Sequence, residues 1–442
     1  MFDTPTPVRA NDDLSTFNRL ESTVRSYSRS FPIVFERAQG SWLHDRDGKA
    51  YLDFLSGCSS LNYGHNHPAL KEALADYISK DGITHSLDMH SGAKAAFLEA
   101  FDEHILRTRR LSYRVQFTGP TGANAVEAAL KLARKITGRT NVIAFTNAFH
   151  GVTLGALAAT GNSHHRGGAG LPLHSVTRMP FDGYFGPDVD TAAQLDQMLL
   201  DKSSGIEPPA AIILETVQGE GGFNVASPRW LRAIQSIARR HGALLIIDDI
   251  QAGCGRAGSF FSFENMGLSP DIVTLAKSFS GMGLPMSVVL IKPEHDVWKP
   301  GEHNGTFRGN CHAFVTATAA LETFWKDRTF ETEIARKSER VAEKLRQLHA
   351  AYPDQIRSVK GRGMMLGLEM ISGKAADRVV DAAFARGLVI ETGGPDGEVL
   401  KMLAPLTASM DELARGLAIL REAIGVAVKS APIDMVRKER LA

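Results

Sequence analysis

Short apolar runs alternate with longer amphipathic segments through the middle of this chain. Five runs of four or five residues, rich in isoleucine, valine and leucine, lie at 142–145, 211–214, 244–247, 272–275 and 287–291. Runs this short, bounded by glycine, proline or charged residues, are typical of strands that are buried on both faces. Helical patterns separate these runs, so the sequence predicts an α/β fold with a mostly parallel sheet covered by helices.

The pattern differs near both ends of the chain. Residues 42–53 predict a β-hairpin that turns at Asp47 and Gly48. Towards the other end, the pattern predicts a helix followed by three strands, at 333–350, 364–369, 388–391 and 399–403. A last helix is expected to begin at Ser409, because Glu412 three residues later completes a capping box. These elements together predict a smaller α+β unit.

The length of the chain predicts that these elements form two domains. A chain of 442 residues is longer than one compact core usually accommodates, so two domains are expected. We place the large domain, which contains the mostly parallel sheet, at residues 70–325. The smaller α+β domain would combine the N-terminal segment, residues 1–69, with the C-terminal part, residues 326–442.

Composition and charge exclude several classes of function. The formal net charge is +1, so no broad electrostatic field favours nucleic acid or an anionic membrane. The three cysteines lie far apart and form no CxxC pair, which argues against a disulfide framework and indicates a reducing compartment. No apolar run approaches the ~20 residues that span a bilayer, and residues 1–13 do not resemble a secretory signal. We therefore expect a cytoplasmic protein.

Two patterns that often mark ligand sites do not predict them here. Residues 253–258 match GxGxxG, but no strand runs directly into this segment and no helix pattern follows it, so we exclude a dinucleotide site. The histidine pairs His65 with His67 and His164 with His165 lack acidic or cysteine residues at ligand spacing. No metal site is therefore predicted.

Two predicted strands end in residues that carry chemistry. Asp248 follows the run 244–247, and Lys277 follows the run 272–275 after one alanine. Reactive groups collect at the carboxyl ends of strands in an open α/β sheet, so both side chains are expected at one edge. A solvated surface lysine and an acid that caps a turn are the ordinary alternatives. An amine and a carboxylate at one edge are, however, what pyridoxal 5'-phosphate (PLP) requires, for its attachment and for its pyridinium nitrogen.

A loop of small residues before a helix is a candidate phosphate site. Residues 119–124 lead into a predicted helix over 125–137, so Gly122 and Ala123 offer backbone N–H groups and Thr121 offers a hydroxyl. A plain loop with a helix cap is the alternative. No lysine follows in the Walker pattern, so binding of a nucleoside triphosphate is not expected.

Two other side chains could contact a flat cofactor ring. Phe149 follows the predicted strand 142–145, where an aromatic ring could stack on the cofactor, although ordinary core packing is the alternative. Gln251 follows Asp248 after one short loop and could donate a hydrogen bond to the phenolic oxygen of the ring. Both residues therefore join the candidate cofactor site.

Four motifs, several of them at the expected spacing from one another, resemble those of the class III (omega) aminotransferases. Residues 215–222 are similar to the family's EPVQGEGG, 248–253 to DEVQTG, 275–277 to the segment with the reactive lysine, and 305–310 to GTFGGN. The resemblance covers nearly the whole chain. It implies PLP fold type I, the aspartate aminotransferase fold, and thus a PLP-dependent enzyme.

The resemblance also implies roles for individual residues. Lys277 would form the Schiff base with PLP and transfer protons, and Asp248 would contact the pyridine nitrogen. Thr306 would reach the phosphate of the neighbouring subunit's cofactor, which implies a homodimer, or an assembly of dimers, with active sites at the interface. Glu220 and Lys401 would help to sort the two substrates.

Two positions depart from the usual family pattern. Asn124 stands where the phosphate loop usually has glutamate, so a charge is missing at the helix start, but the N–H groups of Gly122 and Ala123 remain. Lys401 stands where many relatives have an arginine that grips the α-carboxylate of glutamate and swings to pair with the residue matching Glu220. Lysine cannot form the bidentate fork of arginine, so the mode of carboxylate binding stays open.

Within the family, five segments resemble the subgroup that makes L-2,4-diaminobutyrate for ectoine biosynthesis: residues 20–32, 62–65, 84–89, 119–122 and 298–303. The expected reaction moves an amino group reversibly between L-glutamate and L-aspartate 4-semialdehyde, giving 2-oxoglutarate and L-2,4-diaminobutyrate. The alternatives are an omega-aminotransferase acting on ornithine, 4-aminobutyrate or a siderophore-pathway diaminobutyrate, and an aminomutase of the glutamate-1-semialdehyde type. A non-catalytic module is a further alternative, but packing alone would require neither Lys277 nor Asp248.

Overall fold

A computed structural model describes residues 14–429 of the chain. Its strands, in chain order, are β1 (Phe35–Gln39), β2 (Trp42–Asp45), β3 (Ala50–Asp53), β4 (Arg114–Phe117), β5 (Val142–Phe145), β6 (Val176–Met179), β7 (Ala211–Leu214), β8 (Leu244–Asp248), β9 (Ile272–Leu275), β10 (Val288–Ile291), β11 (Ile356–Arg362), β12 (Met365–Met370), β13 (Leu388–Val389), β14 (Glu391–Gly393) and β15 (Val399–Met402). The five strands predicted for the middle of the chain are thus present within one residue of their expected bounds.

The α-helices alternate with these strands through the middle of the chain. They are α1 (Ser15–Leu20), α2 (Tyr27–Ser30), α3 (Ser56–Ser59), α4 (Pro68–Ser79), α5 (Gly92–Phe101), α6 (Gly122–Thr137), α7 (Leu154–Ala159), α8 (Ser163–Gly167), α9 (Thr191–Leu200), α10 (Pro228–Arg240), α11 (Cys311–Phe324), α12 (Thr329–Ala351), α13 (Gly373–Ala385) and α14 (Met410–Lys429). Short 3₁₀ turns follow β9 at Lys277–Ser280 and precede α11 at Thr306–Gly309.

A seven-stranded sheet forms the centre of the molecule. Its strand order is β4-β10-β9-β8-β7-β5-β6, and β10 runs antiparallel to both of its neighbours while the other pairs are parallel. Successive side chains of β5 enter different clusters, since Val142 and Ala144 pack on one side and Ile143 and Phe145 on the other. Both faces of the sheet are therefore buried, which explains the continuous apolar runs and confirms the predicted α/β class.

Two four-stranded sheets lie outside this centre. The N-terminal sheet has the order β1-β2-β3-β13, and the predicted hairpin at 42–53 forms its β2 and β3. The parallel pair of β3 with β13 joins Leu52 to Leu388, so a C-terminal strand completes the N-terminal sheet. This pairing supports the division of the chain into domains at residues 70 and 325, which stays a prediction.

The predicted strand at 388–391 is wrong as a single element. The structure divides it into β13, which pairs with β3, and β14, which pairs antiparallel with β15. The second four-stranded sheet has the order β11-β12-β15-β14. The division occurs because the two halves of one apolar run exchange hydrogen bonds with strands of different sheets, which apolar character alone does not reveal.

The last described helix begins at its predicted capping box. Ser409 and Glu412 form the predicted capping box, since the Ser409 amide donates to Glu412 Oε2 at 2.7 Å and the Glu412 amide donates to Ser409 Oγ at 3.2 Å. Among the helices within residues 14–429, none combines the length and the apolar character that a membrane span requires.

The excluded GxGxxG segment has a structural role through Arg256. The Arg256 side chain is fully buried and donates to the Ala404 carbonyl at 2.7 Å, the Met364 carbonyl at 3.3 Å and Asn62 Oδ1 at 2.7 Å. These three acceptors come from separate parts of the chain. Arg256 therefore joins the loop after β8 to the N-terminal and C-terminal segments.

We expect Arg256→Leu to lower the free energy of unfolding by about 3 kcal/mol, because several buried acceptors lose their donor. Arg239→Leu is the matched control, since Arg239 is exposed at the end of α10, and it should change stability by less than about 0.5 kcal/mol. Urea titration of the two variants measures both values. Equal stability of the two variants would show that Arg256 does not have this role.

Candidate active site

A cavity of about 640 Å³ lies at the carboxyl edge of the central sheet. The loops that follow β4, β5, β7, β8 and β9 enclose it, as expected for an open sheet of mostly parallel strands. Eight of the residues predicted from the sequence line this cavity: Thr121, Gly122, Ala123, Phe149, Glu220, Asp248, Gln251 and Lys277. Two predicted residues, Lys401 and Thr306, do not line it.

Lys277 enters the cavity from a strained turn. It follows β9 directly after Ala276 and has a φ of +53°, in the left-handed region that residues other than glycine rarely adopt. Such a conformation costs roughly 1–3 kcal/mol and persists only where the surroundings impose it. Among residues 14–429, no side chain or backbone group forms a hydrogen bond or ion pair with the Lys277 amine. Its nitrogen is therefore available to a ligand in the cavity.

Asp248 ends β8 and is held by three hydrogen bonds. Its Oδ2 lies 2.7 Å from His150 Nδ1, and its Oδ1 accepts from Thr274 Oγ1 and from the Ile250 amide, each at 3.2 Å. Asp248 is 4% exposed, so the little that remains accessible faces the cavity. A carboxylate fixed in this way can partner one cationic group of a bound ligand.

His150 is a site residue that the sequence analysis missed. Burial acts to lower the pKa of this histidine, but the hydrogen bond and the charge of Asp248 outweigh burial and raise the pKa. His150 also lines the cavity. Its position next to Phe149 at the end of a strand was the available signal, but a partner 98 residues away in the sequence could not be inferred from spacing.

We expect His150→Phe to lower the free energy of unfolding by about 1.5–3 kcal/mol, because the buried Asp248 carboxylate loses a charge-assisted hydrogen bond. Turnover should fall as well, since Asp248 would no longer be held in one orientation. Thermal unfolding and steady-state rates check both effects, with His174→Phe at an exposed position as the control. Wild-type stability and rate in His150→Phe would contradict this role.

The start of α6 is arranged to receive an anion. Asn124 Oδ1 accepts from the Thr121 amide at 3.1 Å and from Thr121 Oγ1 at 2.9 Å, so the asparagine side chain caps the start of the helix. The amides of Gly122 and Ala123 are at the first two positions of a sixteen-residue helix. A Cβ at Gly122 would lie 2.8 Å from Ile250 Cδ1, so glycine permits this close approach. Free N–H groups and the helix dipole suit a phosphate.

Glu215, in the loop after β7, lines the cavity and holds the backbone of two loops beside it. Its carboxylate accepts hydrogen bonds from the amides of Phe149 and Gly219, each at 3.0 Å. Burial raises the pKa of Glu215 to about 7. The phenylalanine ring lies at the cavity wall, where its centroid is 5.3 Å from that of His165.

Lys401 lies behind the cavity wall and contacts it through Glu220. The Lys401 ammonium lies 2.9 Å from Glu220 Oε2 and 2.9 Å from Glu391 Oε1. Gln251 Nε2 donates to Glu220 Oε1 at 3.1 Å from the other side. Sequence reasoning missed Glu391, although it lies within a predicted strand, because its contact with Lys401 depends on the pairing of β14 with β15.

Thr306 begins an exposed turn outside the cavity of its own chain. Its neighbour Phe307 lines a smaller adjoining cavity together with Pro120 and Pro285. The contact of Thr306 with a cofactor of the neighbouring subunit stays a prediction.

Among residues 14–429, no cluster of histidine, cysteine, aspartate and glutamate could hold a metal ion.

Comparison with known proteins identifies the family that has this arrangement. A model of aminotransferase class-III matches residues 23–424. The chain belongs to the class III aminotransferases. These enzymes use PLP to move amino groups between amino acids and oxo acids, and the predicted PLP fold type I is confirmed.

Individual relatives extend this comparison. The diaminobutyrate–2-oxoglutarate transaminase of Vibrio parahaemolyticus is 58% identical over 411 residues, which cover 93% of this chain and 97% of that protein. The transaminase of the same name from Halalkalibacterium halodurans is 53% identical over 423 residues, covering 96% and 99%. The ornithine aminotransferase structure from Toxoplasma gondii aligns with a TM-score of 0.82 at 26% identity and covers 95% of each chain.

The residues of the cavity fit PLP. The free amides at the start of α6 suit its phosphate, the Asp248 carboxylate suits a protonated pyridine nitrogen, and the unpaired Lys277 amine suits its aldehyde. The side chains of Phe149 and Ile250 supply apolar walls for a flat ring. One cavity of this class III aminotransferase therefore brings together groups that fit the phosphate, the ring nitrogen and the aldehyde of PLP.

Proposed function

We propose that this aminotransferase moves the 4-amino group of L-2,4-diaminobutyrate to 2-oxoglutarate, giving L-aspartate 4-semialdehyde and L-glutamate, and that it catalyses the reverse reaction as the first step of ectoine biosynthesis. The observation that carries the proposal is the cavity that joins Lys277 and Asp248 in a chain 58% identical to a diaminobutyrate–2-oxoglutarate transaminase. The likeness to an ornithine aminotransferase is much lower, at 26% identity.

The side chains of the cavity divide the work of the reaction. Bound PLP supplies an electron sink for the bond that is broken at the substrate carbon. The Lys277 amine would take the proton from the substrate carbon and deliver it to the cofactor carbon, acting first as general base and then as general acid. The Asp248 carboxylate would favour the protonated form of the pyridine nitrogen of PLP, and His150 holds Asp248 in place. Thr121, Gly122 and Ala123 would hold the phosphate of PLP, and Phe149 would cover one face of its ring.

The proposal includes an assembly and a location. Two chains would form a dimer in which Thr306 of each chain reaches the phosphate in the other active site. The exposed position of Thr306 outside its own cavity supports this arrangement. The three free cysteines support a reducing, cytoplasmic compartment.

Competition among amino donors tests the proposed substrate. The purified holoenzyme is incubated with 2-oxoglutarate and L-2,4-diaminobutyrate, ornithine or 4-aminobutyrate, and the formation of glutamate is followed. We expect a strong preference for diaminobutyrate. Preference for another omega-amine would keep the family and overturn the substrate, and amino migration without any oxo acid would indicate an aminomutase instead.

A further inference from the structure

Three carboxylate oxygens lie within 3.0 Å of the Lys401 ammonium. Lys401 Nζ lies 3.0 Å from Glu220 Oε1, 2.9 Å from Glu220 Oε2 and 2.9 Å from Glu391 Oε1, and its side chain is 0% exposed. An ammonium has three donors and no more. Lys401 is therefore held by two hydrogen bonds to Glu220 and an ion pair with Glu391, and its buried ammonium does not line the cavity in which a substrate carboxylate would lie.

Backbone pairing holds the second carboxylate of this cluster in place. Glu391 and Lys401 are directly opposite each other in the antiparallel pair of β14 and β15, so their side chains share one face. Gly393 permits the lysine to pass, because a Cβ there would lie 3.0 Å from Lys401 Cδ. On the far side, Cys58 Sγ donates to Glu391 Oε1 at 3.5 Å. The Glu391 carboxylate thus forms a second ion pair with Lys401, besides the pair with Glu220.

Glu220 is the member of the cluster that reaches the substrate space. Its side chain is 29% exposed and lines both the cavity that contains Lys277 and a neighbouring cavity of about 500 Å³ that contains His165, whereas Lys401 and Glu391 line neither of the two. Burial acts to raise the pKa of Glu220, but the ammonium groups of Lys401 and Lys277 outweigh burial and hold the pKa at about 2. The cavity wall therefore carries a permanent carboxylate at neutral pH.

We propose that Glu391 locks Lys401 onto Glu220 in both halves of the reaction, and that the locked Glu220 carboxylate binds the non-reacting α-ammonium group of L-2,4-diaminobutyrate. The inference rests on the proposed function and names the residue that selects its substrate. Diaminobutyrate has an ammonium group next to its carboxylate, and 4-aminobutyrate has the same carbon chain and reacting amine without it. An anion in the wall therefore favours the first over the second.

Comparison of the two substrates tests the contact between Glu220 and the α-ammonium group. The measured quantity is the ratio of kcat/KM for diaminobutyrate to kcat/KM for 4-aminobutyrate, with 2-oxoglutarate as acceptor. In Glu220→Gln the ratio should fall by at least about tenfold, as for the loss of one hydrogen bond to a charged group. In Glu391→Gln, where a positioning residue is changed, the ratio should fall mainly through a higher KM for diaminobutyrate, with a smaller change in kcat.

A control on the same sheet separates this effect from general damage. Glu369 lies on β12 and its carboxylate accepts a hydrogen bond from Ser358 Oγ at 2.6 Å, away from the cavity. Glu369→Gln makes the same chemical change and should leave the ratio as in the wild type. An unchanged ratio in Glu220→Gln would overturn the ammonium contact, and an unchanged KM in Glu391→Gln would overturn the lock.

Two further outcomes keep the inference apart from the proposed function. A wild-type enzyme that does not use diaminobutyrate would overturn both. If the wild type uses diaminobutyrate and Glu220→Gln leaves the ratio unchanged, the inference alone is overturned. If Glu391→Gln does not fold, crystals of the wild-type holoenzyme with bound glutamate replace it. The distance from Lys401 Nζ to Glu220 Oε2 should stay near 2.9 Å, and an opened pair would contradict the lock.

Discussion

Replacing Lys277 with alanine is expected to lower amino-transfer turnover by at least about 10³-fold. Proton transfer by a positioned side chain alone contributes about 10²–10⁴-fold, and the variant also loses the amine that attaches the cofactor. Among residues 14–429, Lys277 is the lysine that lines the cavity, so no other amine there can replace it. The rate of glutamate formation from diaminobutyrate and 2-oxoglutarate measures the loss.

A chemical readout distinguishes loss of the reactive amine from loss of the fold. Borohydride reduction of the wild-type holoenzyme, followed by mass spectrometry of its peptides, should find the reduced cofactor on Lys277. Lys277→Ala should carry no such label, and Lys326→Ala, at an exposed position, should be labelled as in the wild type. A label on another lysine would show that the reactive residue has been misassigned.

Asp248→Asn should be the second most damaging substitution. The amide has nearly the size of the carboxylate but no charge, so it cannot favour a protonated cofactor nitrogen. Removing one preorganised electrostatic contact of this kind lowers kcat by roughly 10²–10³-fold. The contacts of Asp248 with His150 and Thr274 fix the carboxylate, so the loss cannot be compensated by a small movement.

Asp249 provides the matched control for this substitution. It is the next residue in the chain and is also buried, but its carboxylate accepts from the Ser262 amide at 3.0 Å and does not line the cavity. Asp249→Asn should therefore keep most of kcat, although it can lower stability. Single-turnover rates with glutamate compare the two variants, and similar losses in both would mean that position in the cavity does not matter.

The sequence predicted the part of the site that depends on single strands. Asp248 and Lys277 could be placed together because each follows an apolar run, and such strands deliver their last residues to one edge of a sheet. The helix start at Gly122 and Ala123 could be predicted for a similar local reason, since small residues preceded a helical pattern. These inferences required no knowledge of which strands are neighbours.

The rest of the site depends on contacts between distant segments. His150 meets Asp248 only because the loop after β5 crosses to β8, two strands away in the sheet. Glu391 meets Lys401 only because β14 pairs with β15 in one particular register. The apolar run at 388–391 gave no sign that it changes from one sheet to another after Val389. Register and strand order arise from the packing of the whole chain, so local patterns do not contain them.

Transfer of a labelled nitrogen tests the central claim most directly. The holoenzyme is incubated with 2-oxoglutarate and L-2,4-diaminobutyrate that carries ¹⁵N only at its 4-amino group, and the glutamate formed is analysed by mass spectrometry. The account predicts that the glutamate carries the label, because the terminal amine is the one that reacts. Unlabelled glutamate would show that the 2-amino group reacts instead, and an absence of glutamate would show that this class III aminotransferase acts on a different pair of substrates.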